Sequence, residues 1–374
     1  DFPQAFRFRR LSSGRWTLTK SSYVGRDYTG RWGNYFAHSL VGDEGFLSAW
    51  AMDYFEWEGW VRRLTPDEDD TQRPPQLPCT DPSSMSLSES FELAELSEFL
   101  REDSSRQCML VDMLRAVYQQ ARSHRPLVIR DSFLNGLYWL ACITKGLPLS
   151  VANRLTLSSF QYDPLNSSDL NATTGKTDFE FSERDRMYSF FVFDFETGVH
   201  SELEPIDSDY PAQIAQWMEE DPTRLGGWHD FAAHFDLKGA DDTLLDVFIL
   251  YRFVLGSPPV GDPRTLSRLL DIPSRTAQQY ADQYIVAVLS AGFEGGAYVD
   301  HPAVYLEVLE RATAMSRIDA NIQRLIARVS LALLDLATEP GGATSHSLFP
   351  RLQAMFDRFA ARSAPLLEAL KGEI

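Results

Sequence analysis

The 374-residue sequence has no uninterrupted apolar run of the kind that crosses a bilayer, which takes about 18 residues or more. It is also poor in cysteine. Cys79, Cys108 and Cys142 are odd in number, far apart and free of Cys-x-x-Cys spacing, which argues against a disulfide framework and a cysteine zinc site. The opening residues, Asp1-Phe2-Pro3-Gln4-Ala5-Phe6-Arg7, lack the charged and apolar regions of a secretory signal. These absences point to a reducing compartment, the cytoplasm, with no membrane partner. No initiator methionine begins the chain, which reads as a fragment or processed form with an N-terminal element missing.

Catalytic signatures are missing as well. There is no Gly-x-Ser-x-Gly elbow, no Gly-x-Gly-x-x-Gly opening a helix, and no calcium-loop pattern. Asn171-Ala172-Thr173-Thr174-Gly175-Lys176-Thr177 ends like a phosphate loop, but Leu170 stands where the first glycine belongs, and no helical pattern follows. An ordinary loop is the better reading. His229 and His234 are five residues apart, not four, so a helix turns their imidazoles away from each other, and Asp230 replaces the expected glutamate. No catalytic residue, metal site or cofactor is assigned.

Basic charge is scarce: 35 Lys and Arg face 53 Asp and Glu, a net charge of −18. Each phosphate contact needs a local cation, so nucleic acid is a poor default partner. The exception is the N-terminus, where Arg7, Arg9, Arg10, Arg15, Lys20, Arg26 and Arg31 outnumber Asp1 and Asp27 and leave room for a local basic face.

Two kinds of periodicity are present. Phe6-Arg7-Phe8-Arg9 alternates apolar and basic, Trp16 to Lys20 follows a Ser-Ser-Gly turn, and Tyr35 to Val41 resumes as a strand. Between them, the glycines of 23–34 favour an ordered loop. Residues 65–90 combine proline, acid and serine into an exposed connection. Helices are expected at 88–102 and 106–123, a β-α-β unit over 127–160, and an apolar strand over 187–195. Beyond 207 helical stripes take over, clearest in Ile322, Leu325, Ile326, Val329, Leu333 and Leu336. The expected class is α+β: a mixed α/β domain with a β-sheet over 1–206, then an all-α domain over 207–374.

The most informative stretch for binding is Arg26 to His38. Candidate ligand-binding side chains Arg26, Asp27, Arg31, Asn34 and His38 interleave with Tyr28, Trp32, Tyr35 and Phe36, and the glycines permit close backbone approach. The bland alternative has equal physical standing: Arg26 pairs with Asp27, and His38 is a satisfied core residue.

YVGRDYTGRWGNYFAHSLV at 23–41, together with LPLSVANRLTLSSFQYDP ending at Pro164, resembles the bacterial GTPase-associated protein family, its type-two N-terminal domain. The helical part after 207 is similar to the family's middle domain in position and character. The resemblance implies a noncatalytic adaptor or scaffold in a GTPase-linked signalling or conflict system, its partner a GTPase or other protein encoded nearby. It also implies that the domain's usual opening strand and glycine-containing stretch are missing here. A different class of reading keeps the α/β domain as a ligand sensor or enzyme that uses the Arg26–His38 loop for an anionic small molecule or nucleotide. A third makes the helical half a scaffolding repeat with a long concave surface.

Overall fold

A computed structural model describes residues 4–26, 32–63, 85, 87, 90–163, 167–179, 181–257, 275–315, 318–338 and 345–360. It divides into two compact units, Asp1–Ala233 with Leu237–Asp241, and His234–Asp236 with Asp242–Ile374.

The first unit is built on one eight-stranded sheet of order β3-β2-β1-β5-β6-β4-β7-β8. The strands are β1 (Ala5–Arg10), β2 (Trp16–Arg26), β3 (Trp32–Gly42), β4 (Leu127–Arg130), β5 (Leu157–Ser158), β6 (Leu170–Thr173), β7 (Phe191–Asp194) and β8 (Val199–His200). Strands β1 to β3 form an antiparallel meander, and β5, β6, β4 and β7 run parallel. The antiparallel pairing of β1 with β5 joins the two halves. Composition follows this division. In the parallel part Leu127, Val128 and Ile129 are fully buried, as strands covered on both faces must be. In the meander Phe6, Phe8, Trp16 and Leu18 turn inward, and the residues between them turn out.

The expected hairpin and third strand are present, but the ordered loop over 23–34 is not. Strand β2 continues to Arg26 and β3 begins at Trp32, so only 27–31 lie outside the described residues. Gly25 makes this continuation possible. Its φ of +91° places it in the left-handed region, where it absorbs the register shifts between Tyr23 and Arg26 as a bulge. Nearly all of the proline-rich connection at 65–90 also lies outside the described residues.

Helices α1 (Leu93–Arg101), α2 (Ser105–Ser123), α3 (Phe133–Gly146), the short α4 (Leu149–Ala152), α5 (Tyr210–Glu220) and α6 (Pro222–Ala232) complete this unit. α3 is buried nearly all round, in keeping with its apolar sequence. The boundary expected near 207 therefore differs from the division found. The reason is packing: α5 lies against α1 and α2, burying Ile214, Trp217 and Met218. Tyr210 donates its hydroxyl to the Gly146 carbonyl at 2.8 Å, and Ser97 donates to the Glu219 carbonyl at 2.6 Å.

The second unit is helical: α7 (Asp242–Val254), α8 (Arg275–Gly295), α9 (Ala297–Asp300), α10 (Pro302–Ala314), α11 (Ala320–Thr338) and α12 (Ser345–Ala360). α11 packs against α8, α10 and α12. Ile326, Val329 and Leu333 of its expected stripe are buried. The α+β class thus describes the chain, a mixed sheet followed by helices. Among the described residues no helix is long and apolar enough to cross a membrane.

Candidate functional site

Of the five side chains expected to form a ligand site, His38 alone is among those described. Asp27 and Arg31 lie outside them, and for Arg26 and Asn34 only the strand backbone is described. His38 is described, and it is 7% exposed. Its Nδ1 accepts the Val61 N–H at 3.0 Å, and its ring meets Trp60 edge-on at 5.3 Å. Burial lowers its pKa.

Lys20 is the cross-strand neighbour of His38 on the same covered face. It belongs to the core and not to a basic surface. Its Nζ donates to the Phe55 carbonyl at 2.6 Å, lies 3.4 Å from Glu56 and sits over the Phe55 ring. Burial pushes its pKa down, and Glu56 opposes that push. Both polar side chains are thus consumed in anchoring the segment after β3 to the sheet.

Convergence occurs at the carboxyl ends of β6, β4 and β7, where open α/β sheets generally place ligands. β4 ends in Arg130 and β7 in Asp194. The Arg130 guanidinium grips the Asp194 carboxylate with two nitrogens, Nε at 2.8 Å. Thr197 adds its hydroxyl and its N–H, and the Glu196 N–H approaches at 3.1 Å. Burial alone would raise the Asp194 pKa, but the Arg130 and Thr197 hydrogen bonds outweigh it and leave the group below its ordinary value.

Asp131, the next residue after β4, closes the start of α3. It accepts from the Ser132 N–H at 2.6 Å, from Asn135 Nδ2 at 3.0 Å and from Trp139 Nε1 at 3.1 Å. Ser132 accepts the Asn135 N–H at 3.2 Å as the helix cap. The helix start, a natural anion position, is therefore already faced by a carboxylate of the protein. Gly175 follows the same logic. Its N–H donates to Glu196 Oε1 at 2.9 Å, and a Cβ there would stand 2.5 Å from Glu196 Oε2. The Gly-Lys-Thr loop thus gives its amide to a carboxylate instead of a phosphate, and no regular helix follows it directly.

Beside this edge opens a cleft of about 780 Å³, lined chiefly by Phe55, Phe133, Leu134, Leu137, Thr174 and Glu196. Leu134 is 58% exposed. The cleft offers apolar surface rimmed by carboxylates that already have partners, with Lys176 exposed at its border. Among the described residues no three His, Cys, Asp or Glu side chains are placed to hold a metal ion.

Residues 1–81 match GTPase-associated protein 1, N-terminal domain type 2, and residues 96–197 match GTPase-associated protein 1, middle domain. The two matches follow one another in the order N-terminal then middle domain and together cover just under half of the chain. The first match ends within the connection after the meander; the second spans α1 to β7 and so holds the whole parallel half of the sheet. The stretch matching the middle domain is therefore this α/β segment, upstream of the helices after 207 to which the sequence reading gave it. No curated protein and no solved structure matches the chain.

Sequence reasoning missed the Arg130–Asp194 pair, although a signal was available. Leu127-Val128-Ile129-Arg130 and Phe191-Val192-Phe193-Asp194 are both apolar runs that end in opposite charges. Parallel neighbours with the same register bring those ends side by side. His229, weighed as a zinc ligand, instead donates Nε2–H to the Lys145 carbonyl.

Proposed function

We propose that this chain is a noncatalytic adaptor or scaffold of a bacterial GTPase-linked signalling or conflict system, acting in the cytoplasm on a GTPase or other protein encoded nearby. The observation that carries this reading is the succession of two GTPase-associated protein 1 domains across the sheet. The geometry of the strand ends adds to it. Asp131, Asp194 and Glu196 already serve groups of the protein itself, so the edge suits the docking of an apolar side chain better than acid–base work on a substrate. Leu134 and Phe133 supply the contact.

The test is copurification with the GTPase encoded beside the gene, loaded in turn with GDP and with a nonhydrolysable GTP analogue. One loading state should retain the full chain, and Leu134→Asp should release it. Failure to associate under any guanine nucleotide would sink the adaptor reading; undiminished binding by Leu134→Asp would remove the cleft from it.

The second reading, an anion sensor at Arg26 to His38, now falls to the arginines. His38 has its Nδ1 engaged and its ring enclosed.

A further inference from the structure

One side of the sheet ends in a strand edge that the cleft does not involve. β3 is the last strand on that side and pairs only with β2 among the described residues. Every second residue of such a strand turns its N–H and C=O away from the single neighbour. Between Tyr35 and Val41 no backbone group makes a further hydrogen bond among the described residues. Long edges are ordinarily guarded against pairing with other chains by lysine, proline, a bulge or a covering segment. β3 has 11 residues, Trp32–Gly42, and contains no Lys, Arg, Asp, Glu or Pro. The bulge lies on β2 near Gly25, opposite Asn34, so the register from Tyr35 to Gly42 is regular.

The side chains of this edge form a pattern that is nearly the same read in either direction from His38. Small Ala37 and Ser39 flank it, then apolar Phe36 and Leu40, then Tyr35 and Val41. Tyr35 is 50% and Val41 47% exposed, and Ala37 and Ser39 are exposed between them on the same face. On the covered face Phe36 and Leu40 are half-buried on either side of buried His38. Neighbours on β2 hold the outer side chains in place: Tyr35 meets Tyr23 edge-on at 5.5 Å, and the Ser39 hydroxyl lies 2.8 Å from that of Thr19.

Two identical antiparallel strands crossing at His38 therefore match side chain to side chain. Tyr35 meets Val41 of the second copy, Phe36 meets its Leu40, Ala37 meets its Ser39, and His38 meets its own counterpart. Aromatic residues opposite β-branched or aliphatic ones are favourable cross-strand pairs, and no like charges are opposed. A crossing at Ala37 instead sets Tyr35 against Ser39 and Phe36 against His38, and the match is lost. Charge favours the same occupant. Two chains of net charge −18 repel one another over most of their surface, but this strand brings no charge to the contact.

We propose that β3 is a self-association edge, at which two copies of this chain join antiparallel β3 strands about a twofold axis at His38 and continue one sheet into the next. The pairing goes beyond the adaptor reading and does not rest on it; joined copies present the cleft at Leu134 twice. A single strand pair is a small interface, below about 1,200 Å², so the dimer should be reversible.

Sedimentation velocity of the full chain from about 1 to 200 μM, in about 0.15 M salt, should show a monomer giving way to a dimer as concentration rises. Ala37→Lys places two cations beside the axis and should raise the dimer dissociation constant about tenfold or more, with the circular dichroism spectrum unchanged. Ser39→Glu should act in the same way through two anions. Ala37→Lys/Ser39→Glu sets opposite charges at facing positions of the two copies and should restore association toward the wild-type level. Tyr35→Thr/Val41→Thr keeps strand-forming side chains and removes the outer contacts; it should also weaken the dimer, and it serves if the charged variants do not fold. A wild-type chain that stays monomeric over the whole range would overturn the proposal and leave the edge to a strand of another protein. Dimers that survive both single charges, or a charged double variant as weak as the two single changes combined, would overturn it as well.

Discussion

His229 donates its Nε2–H to the backbone carbonyl of Lys145 at 2.8 Å, because the carbonyl can only accept. Its ring meets Trp50 edge-on at 5.0 Å, and Nδ1 finds no hydrogen-bond partner among the described residues. Burial brings the pKa down from 6.5 to about 4, with the nearby Lys145 cation adding to the effect and the carbonyl bond and Asp230 opposing it.

A depressed histidine pKa means that the unfolded chain binds the proton more readily than the folded one. Stability associated with neutral His229 is fully present above pH 6.5 and is lost as pH falls toward about 4. The loss should be on the order of 2–3 kcal/mol. Urea unfolding between pH 7.5 and 4.5 should show it, and His229→Gln should flatten the slope. His38 and His200 have pKa values lowered by burial as well, so some slope should persist. An unchanged slope in the variant would dismiss His229 as its source.

The same Lys145 carries the second prediction. Its Nζ lies 2.7 Å from Asp53 Oδ1, with both side chains about nine-tenths buried. Burial raises the Asp53 pKa even against the attraction of Lys145. Removing one member strands the other in a dry site, whereas replacing both with apolar groups removes the desolvation cost. Asp53→Ala should therefore lose about 3–5 kcal/mol in chemical unfolding, and Asp53→Leu/Lys145→Met should recover most of it. Similar losses in the single and double variants would mean that packing, not the charge pair, dominates.

These pairs also show what the sequence made legible. The meander was readable because Phe6, Phe8, Trp16 and Leu18 alternate strictly with polar residues, and the helices because their stripes repeat. β6 was hidden. Leu170-Asn171-Ala172-Thr173 looks like a polar loop, yet Asn171 is fully buried, donating to the Leu127 and Ser168 carbonyls and accepting the Ser168 N–H. Only tertiary partners make such a strand affordable. The Arg26–His38 candidates were chosen for polarity and spacing, which cannot say that His38 faces Trp60 or that Lys20 lies beside it. The compact units divide near 233–241 and not near 207, because helical periodicity reports a buried face but not the unit that covers it.

In the helical unit, Gly292 of α8 is where Tyr305 of α10 comes closest. A Cβ at 292 would stand 2.0 Å from the Tyr305 hydroxyl oxygen and 2.2 Å from the ring. Tyr305 is buried and has little room to withdraw. Gly292→Ala should destabilise by about 1–3 kcal/mol despite alanine's better helix propensity. Adding Tyr305→Leu should relieve the clash, so that the double variant is less damaged than the sum of the single changes. Thermal unfolding of the four proteins provides the comparison, and strict additivity would deny the contact.

The last prediction concerns the ends of β4 and β7. Arg130 holds Asp194 with two nitrogens, and Asp194 is 1% exposed. Its carboxylate also organises the turn after β7 through the Thr197 hydroxyl and N–H and the Glu196 N–H. Arg130→Met leaves that carboxylate buried without its cation and should cost about 3–5 kcal/mol at neutral pH. Asp194→Asn keeps some turn hydrogen bonds but loses the charge, and it should cost less. The pH dependence distinguishes electrostatics from packing. Because Arg130 and Thr197 hold the folded pKa of Asp194 below the usual carboxylate range against its burial, the stability it confers is present above that range and is lost as pH falls through the folded pKa. The deficit of Arg130→Met relative to wild type should thus shrink on acidification, because the variant protonates Asp194 first and the wild type only below the usual carboxylate range. A deficit that stays constant across that range would assign the role of Arg130 to its stacking over Phe181, 4.8 Å from the ring centre, rather than to its charge.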